Sequence, residues 1–234
     1  MSAGLKGIRF AVIGGDDREL YLISELQKQG AYIVGVGFEK ADKIQGMSLA
    51  ASLEDAVGQA DVLLFPMFGT DERGVVKAKY SDSPIVLTKK VLEAIPARVP
   101  LVIGFARPAL KSVAENLGIQ LIETAKLDEL AILNSIPSAE GAIQMAMEAT
   151  AITIHGSQSF VLGLGRCGWT LARMLQGIGA RVTGVARKPA DLARAEEMGL
   201  RAVPFADLEE EIGRAEIIFN TIPYPILDRV MLDK

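Results

Sequence analysis

The feature that most constrains the fold is a glycine-rich turn in the second half of the chain, Gly163-Leu164-Gly165-Arg166-Cys167-Gly168. An apolar run over residues 159–162 leads into it, and residues 169–178 continue with apolar side chains at three- and four-residue spacing. A strand, a G-x-G-x-x-G turn and a helix in this order are typical of the dinucleotide-binding unit of a Rossmann fold. The sequence therefore predicts such a domain in this half of the chain.

Each glycine of the turn has its own physical reason in this interpretation. Gly163 permits the tight turn, Gly165 lets the backbone approach a pyrophosphate, and Gly168 lets the helix pack against the strand. Arg166 and Cys167 lie between the glycines and are predicted to contact the cofactor. A helix N-terminus can lower the pKa of a thiol, but a small side chain packed at a crowded turn explains Cys167 better.

The end of the next predicted strand indicates the type of cofactor. Residues 182–185 form that strand, and Arg187 and Lys188 follow it, where an NAD site usually carries an acidic residue for the ribose 2′-hydroxyl. Guanidinium and ammonium groups bind phosphate, so we predict that the domain binds NADP(H) through its 2′-phosphate. The alternative is a solvated basic turn.

A further cofactor contact is predicted after the strand over residues 217–219. Asn220, Thr221 and Pro223 follow this strand, where the chain would pass beneath the nicotinamide ribose. An ordinary strand-ending turn explains the same residues equally well.

Short apolar runs alternate with helix-like segments along the whole chain, which predicts βα units and parallel sheets. In the first half we predict strands over residues 8–13, 32–36, 62–65, 85–87, 101–105 and 120–122 and helices over residues 18–29 and 108–117. The predicted class is α/β, with a flavodoxin/Rossmann-like parallel-sheet domain over residues 1–125, connecting helices over 126–152 and an incomplete NAD(P)-binding Rossmann domain over 153–234. Pro137 suits the first turn of a helix, so we expect the connecting segment to break at residues 135–138.

The length of the second domain carries a prediction of its own. A dinucleotide-binding sheet normally has six strands in the order 3-2-1-4-5-6, and the sequence ends at Lys234, just after the predicted fourth strand. We therefore expect an open edge on that strand. Residues 224–234 are predicted to be poorly ordered or to fold over this edge, unless a second chain pairs there.

Composition excludes several classes of function. The net charge is −4 with scattered basic residues, which argues against nucleic-acid binding and favours small-molecule ligands. Half of the residues are hydrophobic, as in a well-packed globular chain. The single cysteine cannot form an internal disulfide, and neither a signal peptide nor a membrane span is apparent, so a reducing, cytoplasmic setting is predicted. No metal site is predicted.

A second glycine-rich turn, Gly14-Gly15-Asp16-Asp17, follows the first predicted strand. Its two carboxylates would repel a phosphate. We interpret it as a turn followed by a helix N-cap, a position that favours Asp.

Three stretches together resemble the family of the dipicolinate synthase A subunit: residues 12–16, residues 134–141, and residues 154–158 followed by the strand into the glycine turn. The second and third stretches are more specific than the glycine pattern, and the resemblance covers the whole chain. It implies an N-terminal α/β domain and a Rossmann domain that, with a flavoprotein-like B subunit, make pyridine-2,6-dicarboxylate in the mother cell of a sporulating bacterium. The implied reaction is oxidation of dihydrodipicolinate with NADP as hydride acceptor. A homo-oligomer is compatible with this pattern.

Under that resemblance the site residues are expected to border a cleft beside the nicotinamide. His155, the only histidine, and Glu140 are the catalytic candidates, since imidazole and carboxylate groups can move a proton. A structural role for His155 is the alternative. Ser135 and Ser138 are candidates for substrate binding at a helix start, or are simply helix caps.

In the first domain, Thr70 and Arg107 are the substrate-binding candidates, because both follow apolar strands at the end where α/β sites form. Residues 71–73 belong to the same predicted loop. Two rival functions remain open. One is another two-domain dehydrogenase of the 2-hydroxyacid type, whose catalytic histidine lies beyond the glycine turn, where this chain has none. The other is a non-catalytic regulatory protein that binds NADP.

Overall fold

A computed structural model describes residues 4–42 and 44–233. The chain divides between Leu127 and Asp128 into two compact units, each with its own parallel sheet. The predicted boundaries 1–125, 126–152 and 153–234 remain a prediction. In the structure, the helix over residues 128–149 groups with the second unit.

The first unit is built from βα repeats. Its strands are β1 (Arg9–Ile13), β2 (Tyr32–Val36), β3 (Met47–Leu49), β4 (Val62–Leu64), β5 (Val75–Val76), β6 (Ile85–Val86), β7 (Leu101–Ile103) and β8 (Leu121–Glu123). Its helices are α1 (Asp17–Lys28), α2 (Leu53–Gln59), α3 (Lys89–Glu93) and α4 (Pro108–Leu117). Among the described residues, six parallel strands form one sheet in the order β3-β2-β1-β4-β7-β8. This is the 3-2-1-4-5-6 order of a Rossmann sheet, so of the two predicted types the Rossmann order is observed.

Helices cover both faces of this sheet, which explains the near-continuous apolar strands. Ala11, Ile13 and Leu63 lie in the core on one face, whereas Phe10 and Val12 lie in a second cluster on the other. Parallel strands buried on both faces are expected to show this pattern. The carboxyl ends of all six strands therefore lie at one edge, where the connecting loops meet.

One predicted strand belongs elsewhere. Residues 85–87 were expected in the parallel sheet, but β6 pairs antiparallel with β5 in a separate small sheet. A short apolar run does not indicate which neighbour it pairs with, and β5 was not predicted. The two strands carry the chain over the carboxyl edge of the main sheet, where Gly15 bridges to Ala78.

The second unit contains the three predicted Rossmann strands and a fourth, over residues 201–204, whose position was not predicted. Its elements are α5 (Asp128–Ala149), β9 (Gln158–Leu162), α6 (Arg166–Ile178), β10 (Arg181–Ala186), α7 (Pro189–Glu197), β11 (Arg201–Pro204), α8 (Leu208–Glu211), β12 (Ile217–Asn220) and α9 (Arg229–Leu232). Within the described residues, the four strands form a parallel sheet in the order β11-β10-β9-β12, which is the predicted 3-2-1-4 arrangement.

The predicted break in the connecting helix is wrong. α5 runs without interruption through Pro137. Proline lacks the N–H group that would bond the carbonyl of Leu133 one turn earlier, so the helix loses one backbone hydrogen bond there. Ser135 donates to the carbonyl oxygen of Ile132 and Ser138 to that of Asn134. Packing of the buried Ala139 and Ile143 against the second-unit core holds the helix together across the proline.

The segment after β12 packs on one face of the sheet, and cover for the open edge of β12 stays a prediction. In the described part of the chain β12 pairs with β9 and has no strand on its other side. Ile226, Leu227 and Met231 pack against the apolar cluster on one face of the sheet, and Asp228 caps α9 by accepting from the N–H of Met231. No helix in residues 4–42 or 44–233 is both long and apolar enough to cross a membrane.

Candidate functional site

The glycine turn of the second unit is held by its neighbours on both sides. Gly163 follows β9 with a φ of 90° and donates its N–H to the carbonyl oxygen of Val185 on β10, at 2.9 Å. Thr221, after β12, donates its hydroxyl to the Gly163 carbonyl oxygen at 2.8 Å. A Cβ on Gly168 would overlap that same carbonyl oxygen. The protein itself therefore requires glycine at positions 163 and 168.

Gly165 is different, because nothing in the protein requires it. Its φ is −88°, which any residue adopts, and a Cβ there would meet no atom within 4 Å. It is the N-cap of α6 and provides no side chain to cap the helix. The N-terminus of this 13-residue helix, where the helix dipole places partial positive charge, is therefore not covered by a side chain of its N-cap residue. This cradle fits a pyrophosphate lying against the backbone.

The two residues between the glycines have different surroundings. Arg166 forms an ion pair with Asp128 at the start of α5, with 3.0 Å between Nη1 and Oδ1. Cys167 is half-buried, and this burial raises the pKa of its thiol. A raised pKa disfavours the reactive thiolate, which supports packing over nucleophilic chemistry for Cys167.

The basic pair lies at the carboxyl end of the neighbouring strand. β10 ends at Ala186, and Arg187 and Lys188 follow as exposed residues, with Lys188 as the N-cap of α7. Because Val185 pairs with Leu162, this end of β10 lies beside the glycine turn. Neither basic side chain has an ion-pair or hydrogen-bond partner in the described part of the chain. Both are available to an anionic ligand.

The residues after β12 border a groove in the second unit. The Asn220 side-chain oxygen accepts from the N–H of Ile222 at 2.9 Å, and Pro223 is exposed just beyond. The groove, about 500 Å³, runs between α5, α6 and β12 and is mainly apolar. Ser138, Cys167, Asn220 and Thr221 are among the residues that line it. The structure thus brings together residues predicted from three separate segments.

The other two candidates on α5, Ser135 and Glu140, differ in burial. Ser135 is 2% exposed, and its hydroxyl lies 2.5 Å from that of Thr170 on α6. It is thus engaged in helix packing, and because α5 is continuous there is no helix start at Ser135 or Ser138. Glu140 is exposed and is not among the residues that line the groove.

His155 lies at the edge of the sheet opposite the glycine turn. It precedes β9, whereas the glycine turn follows it, and the imidazole ring lies against Gly179 at the C-terminus of α6. α6 has 13 residues, so at 1.5 Å per residue its two ends are about 20 Å apart. Sequence proximity to the strand was misleading, because a residue before a strand and one after it lie at opposite edges of the sheet.

In the first unit, Thr70 and Arg107 line one cavity of about 190 Å³. Arg73 from the predicted loop also lines it, and the Arg107 Nε donates to the Thr70 carbonyl oxygen at 3.5 Å. Lys89 borders the same cavity. No sequence pattern indicated Lys89, because it arrives from α3, a separate segment.

In the first unit, another segment of the protein lies against the Gly14-Gly15 turn, in the space where a phosphate would bind. Gly15 donates to the carbonyl oxygen of Lys77 and accepts from the N–H of Lys79, so residues 77–79 cover the turn. Asp16 and Glu19 form a capping box at the N-terminus of α1. Hydrogen bonds from Arg18 lower the pKa of Asp16 to about 2. The predicted N-cap is confirmed, and the phosphate-binding position of this unit is filled.

Comparison with known proteins gives a separate family match for each unit. A family model described as the N-terminal domain of the dipicolinate synthase A subunit matches residues 9–125. Another, described as the NAD binding domain of D-isomer specific 2-hydroxyacid dehydrogenase, matches residues 135–234. The dipicolinate synthase A subunit of Bacillus subtilis (strain 168) is 39% identical over 231 residues, which is 97% of this chain and 77% of that protein.

Solved structures show the same likeness. The dipicolinate synthase A subunit from Bacillus halodurans superposes with a TM-score of 0.92 at 35% identity, covering 98% of this chain and 79% of that one. The A chain from Bacillus subtilis gives 0.87 at 38% identity, with coverages of 100% and 78%. A transhydrogenase from Sinorhizobium meliloti, at 16% identity, gives 0.61 with coverages of 95% and 74%, and so shares the fold alone.

Proposed function

The chain belongs to the family of the dipicolinate synthase A subunit, and from this premise we propose that it is an NADP-dependent oxidoreductase that converts dihydrodipicolinate into pyridine-2,6-dicarboxylate. The substrate would lose a hydride to NADP⁺ and a proton to a nearby base or water, which leaves an aromatic ring. The dehydrogenase-type NAD-binding domain supports a nicotinamide cofactor.

The observation that carries this proposal is the empty space at Gly165. A Cβ there would meet nothing within 4 Å, so glycine at this position is explained by a ligand that approaches the backbone. Gly163 and Gly168 would be glycines in any protein with this turn. Gly165 is the one of the three that no protein contact explains, and its place at the N-terminus of α6 distinguishes it from Gly177, whose Cβ position is also empty.

The choice of NADP over NAD rests on the two basic side chains after β10. Arg187 and Lys188 occupy the region where an acidic residue would bind a ribose 2′-hydroxyl, and both lack protein partners in the described residues. A 2′-phosphate would supply them with a charge-assisted partner.

Several residues then have proposed roles in the second unit. The N–H groups of Arg166 and Cys167 would bind the pyrophosphate, and Asn220, Thr221 and Pro223 would support the nicotinamide ribose. Bound there, the nicotinamide would supply hydride transfer. Ser138, across the groove from Thr221, would contact the substrate. Glu140 is the acid-base candidate that remains, since His155 lies at the edge of the sheet opposite the glycine turn.

The biological setting is proposed from the same premise. A relative that is named as one subunit of a synthase implies a partner, and we propose that the B subunit of dipicolinate synthase is the partner of this chain. The setting would be the cytoplasm of the mother cell in a sporulating bacterium.

A matched pair of glycine variants tests the site. Gly165→Ala should leave the melting temperature nearly unchanged but weaken NADP(H) binding, measured by fluorescence titration, by at least about tenfold. Gly177→Ala, in the same helix and also with nothing within 4 Å of its Cβ position, should change neither binding nor the fold. If Gly165→Ala binds NADPH as tightly as the unmodified chain, the cradle is not the cofactor site.

Turnover tests the reaction. The unmodified chain should reduce NADP⁺ when given dihydrodipicolinate, either by itself or together with the B subunit. Binding of NADPH without any turnover in either case would instead indicate a regulatory protein.

The match to a 2-hydroxyacid dehydrogenase domain favours one alternative function, the oxidation of 2-hydroxyacids. That chemistry uses a histidine beyond the glycine turn, and the histidine of this sequence, His155, precedes it. Reduction of NADP⁺ or NAD⁺ by D-2-hydroxyacids, in the absence of dihydrodipicolinate, would support this alternative.

A further inference from the structure

The first unit contains a small cavity whose lining is built for an oxyanion. Thr70 and Arg73 form one wall, and Arg107 with the first turn of α4 forms another; we call this the Arg73 pocket. Its volume of about 190 Å³ is below the roughly 300–1,000 Å³ of pockets that enclose whole ligands. It therefore suits one end of a small molecule.

The hydroxyl group of Thr70 is available to a ligand. Thr70 is 5% exposed and lines the cavity, yet its hydroxyl has no hydrogen-bond partner among the described residues. Because no fully enclosed side-chain polar atom of the described residues lacks a partner, the Thr70 oxygen keeps contact with solvent, as expected for a group that faces a cavity. The Thr70 main chain is already used, in the bridge to Val76 and in the contact with Arg107. The hydroxyl is the part that remains for a ligand.

The N-terminus of α4 faces the same cavity. This helix has ten residues, begins with Pro108, and receives no side-chain cap at its N-terminus. Ala109 and Leu110, whose N–H groups are the first in the helix, both line the pocket. Uncapped N–H groups at a helix N-terminus favour an anion, since the helix dipole places partial positive charge there.

Basic side chains around the pocket favour an anionic ligand. Arg73 has no ion-pair partner within the described ranges, and Arg107 is held only by its contact with a carbonyl and by packing over the Phe105 ring. Lys89 is 3.6 Å from Glu93 and so is partly neutralised.

Two carboxylates also line the cavity, which reduces this positive potential. Asp71 accepts hydrogen bonds at 2.8 Å from the N–H groups of Arg73 and Val75, so one of its oxygens is committed to the turn. Glu72 is exposed beside it. With the three basic side chains of Arg73, Lys89 and Arg107, the lining keeps an excess of positive charge.

We infer that the Arg73 pocket binds one carboxylate group of a small dicarboxylate, with the guanidinium groups of Arg73 and Arg107, the Thr70 hydroxyl and the α4 N-terminus as its ligands. This inference rests on the proposed function for the identity of the dicarboxylate. The shared chemistry is that of an oxyanion, because guanidinium groups bind phosphate as well as carboxylate.

Calorimetric titration of the full chain with pyridine-2,6-dicarboxylate, without cofactor, tests the inference. Arg73→Gln and Thr70→Val should each weaken binding, the arginine variant by about tenfold or more, since it removes charge-assisted hydrogen bonds. Arg98→Gln removes an exposed arginine of the same unit away from the pocket and should bind normally. Thr70→Ser, which keeps the hydroxyl, should bind more tightly than Thr70→Val.

The outcomes separate this inference from the proposed function. Unchanged dicarboxylate affinity and unchanged KM in Arg73→Gln and Thr70→Val, with turnover intact, would overturn the pocket and leave the function standing. Inorganic phosphate that binds more tightly than the dicarboxylate would overturn the carboxylate assignment. NADPH affinity should be unaffected in every pocket variant, since the cofactor cradle belongs to the other unit. A wild-type chain that binds no dicarboxylate would overturn both the pocket and the proposed substrate.

Discussion

The hydroxyl group of Thr221 and the carbonyl oxygen of Gly163 are 2.8 Å apart, and this hydrogen bond ties the end of β12 to the glycine turn after β9. The same hydroxyl lies 3.0 Å from the Leu162 carbonyl oxygen. The side chains of Thr221 and Ile222 also fill the space where a Cβ on Gly163 would be. The shape of the turn therefore depends on a residue 58 positions further along the chain.

Replacement of this hydroxyl tests how far the turn is preorganised. Thr221→Val keeps the shape of the side chain but removes its donor, so the turn loses a hydrogen bond worth about 1 kcal/mol. We expect NADPH affinity to fall by about fivefold, with a small loss in melting temperature. Thr221→Ser keeps the hydroxyl and is the control. Equal affinity for all three proteins would show that the turn is held without Thr221.

Cofactor preference should depend on Arg187. Arg187→Asp removes the cation proposed to bind the 2′-phosphate and introduces a repulsive charge, so NADP⁺ binding should weaken by about 1.5–3 kcal/mol while NAD⁺ binding changes less. Arg181→Asp, at the opposite end of the same strand, is the matched control and should bind both cofactors normally. Titration with each cofactor measures the difference. Equal losses for NADP⁺ and NAD⁺ in Arg187→Asp would contradict the assignment.

Local patterns predicted the second unit well. The helix after the glycine turn was predicted from the apolar spacing over residues 169–178, and α6 is observed there, with Gly179 at a φ of 92° marking its end. The order of β9, β10 and β12 followed from the same turn. These features are set by residues close together in sequence.

Features that depend on distant contacts were missed. Pro137 was expected to start a helix, but burial of α5 against α6 keeps one helix continuous across it. Lys89 and Thr70 reach one cavity from segments that no local pattern connects. The placement of His155 against Gly179 likewise depends on the end of α6, which the sequence near His155 does not indicate.

A conservative change at His155 should spare catalysis. Because His155 lies at the edge of the sheet opposite the glycine turn, His155→Gln should leave kcat, KM and the NADPH dissociation constant within about twofold of wild type. Its cost should appear in stability alone, at about 1 kcal/mol or less for lost packing against Gly179. Ser138→Ala, which alters the groove beside Thr221, should instead raise KM. A fall in kcat of about tenfold or more in His155→Gln, with NADPH affinity and melting temperature unchanged, would show that the imidazole takes part.

The capping aspartate of α1 should make stability depend on acidity. The Arg18 side chain donates hydrogen bonds of 2.9 and 2.8 Å to the Asp16 carboxylate, which lowers its pKa from 3.8 to about 2. A carboxylate with a lowered pKa in the folded state stabilises the protein above its unfolded pKa, and the contribution disappears as the pH falls through the folded value. The stabilisation by Asp16 should therefore be complete near neutral pH and should be lost between about pH 4 and pH 2.

Asp16→Asn measures this contribution, because it keeps an N-cap side chain but removes the charge. We expect this variant to be less stable than wild type by about 1 kcal/mol at pH 6, because the ion pair is partly exposed. The difference in unfolding free energy, measured by urea titration, should shrink between about pH 4 and pH 2. Asp55→Asn, in the first turn of α2, controls for the loss of one negative charge. A difference between Asp16→Asn and wild type that stays constant down to pH 2 would mean that the charge of Asp16 does not stabilise α1.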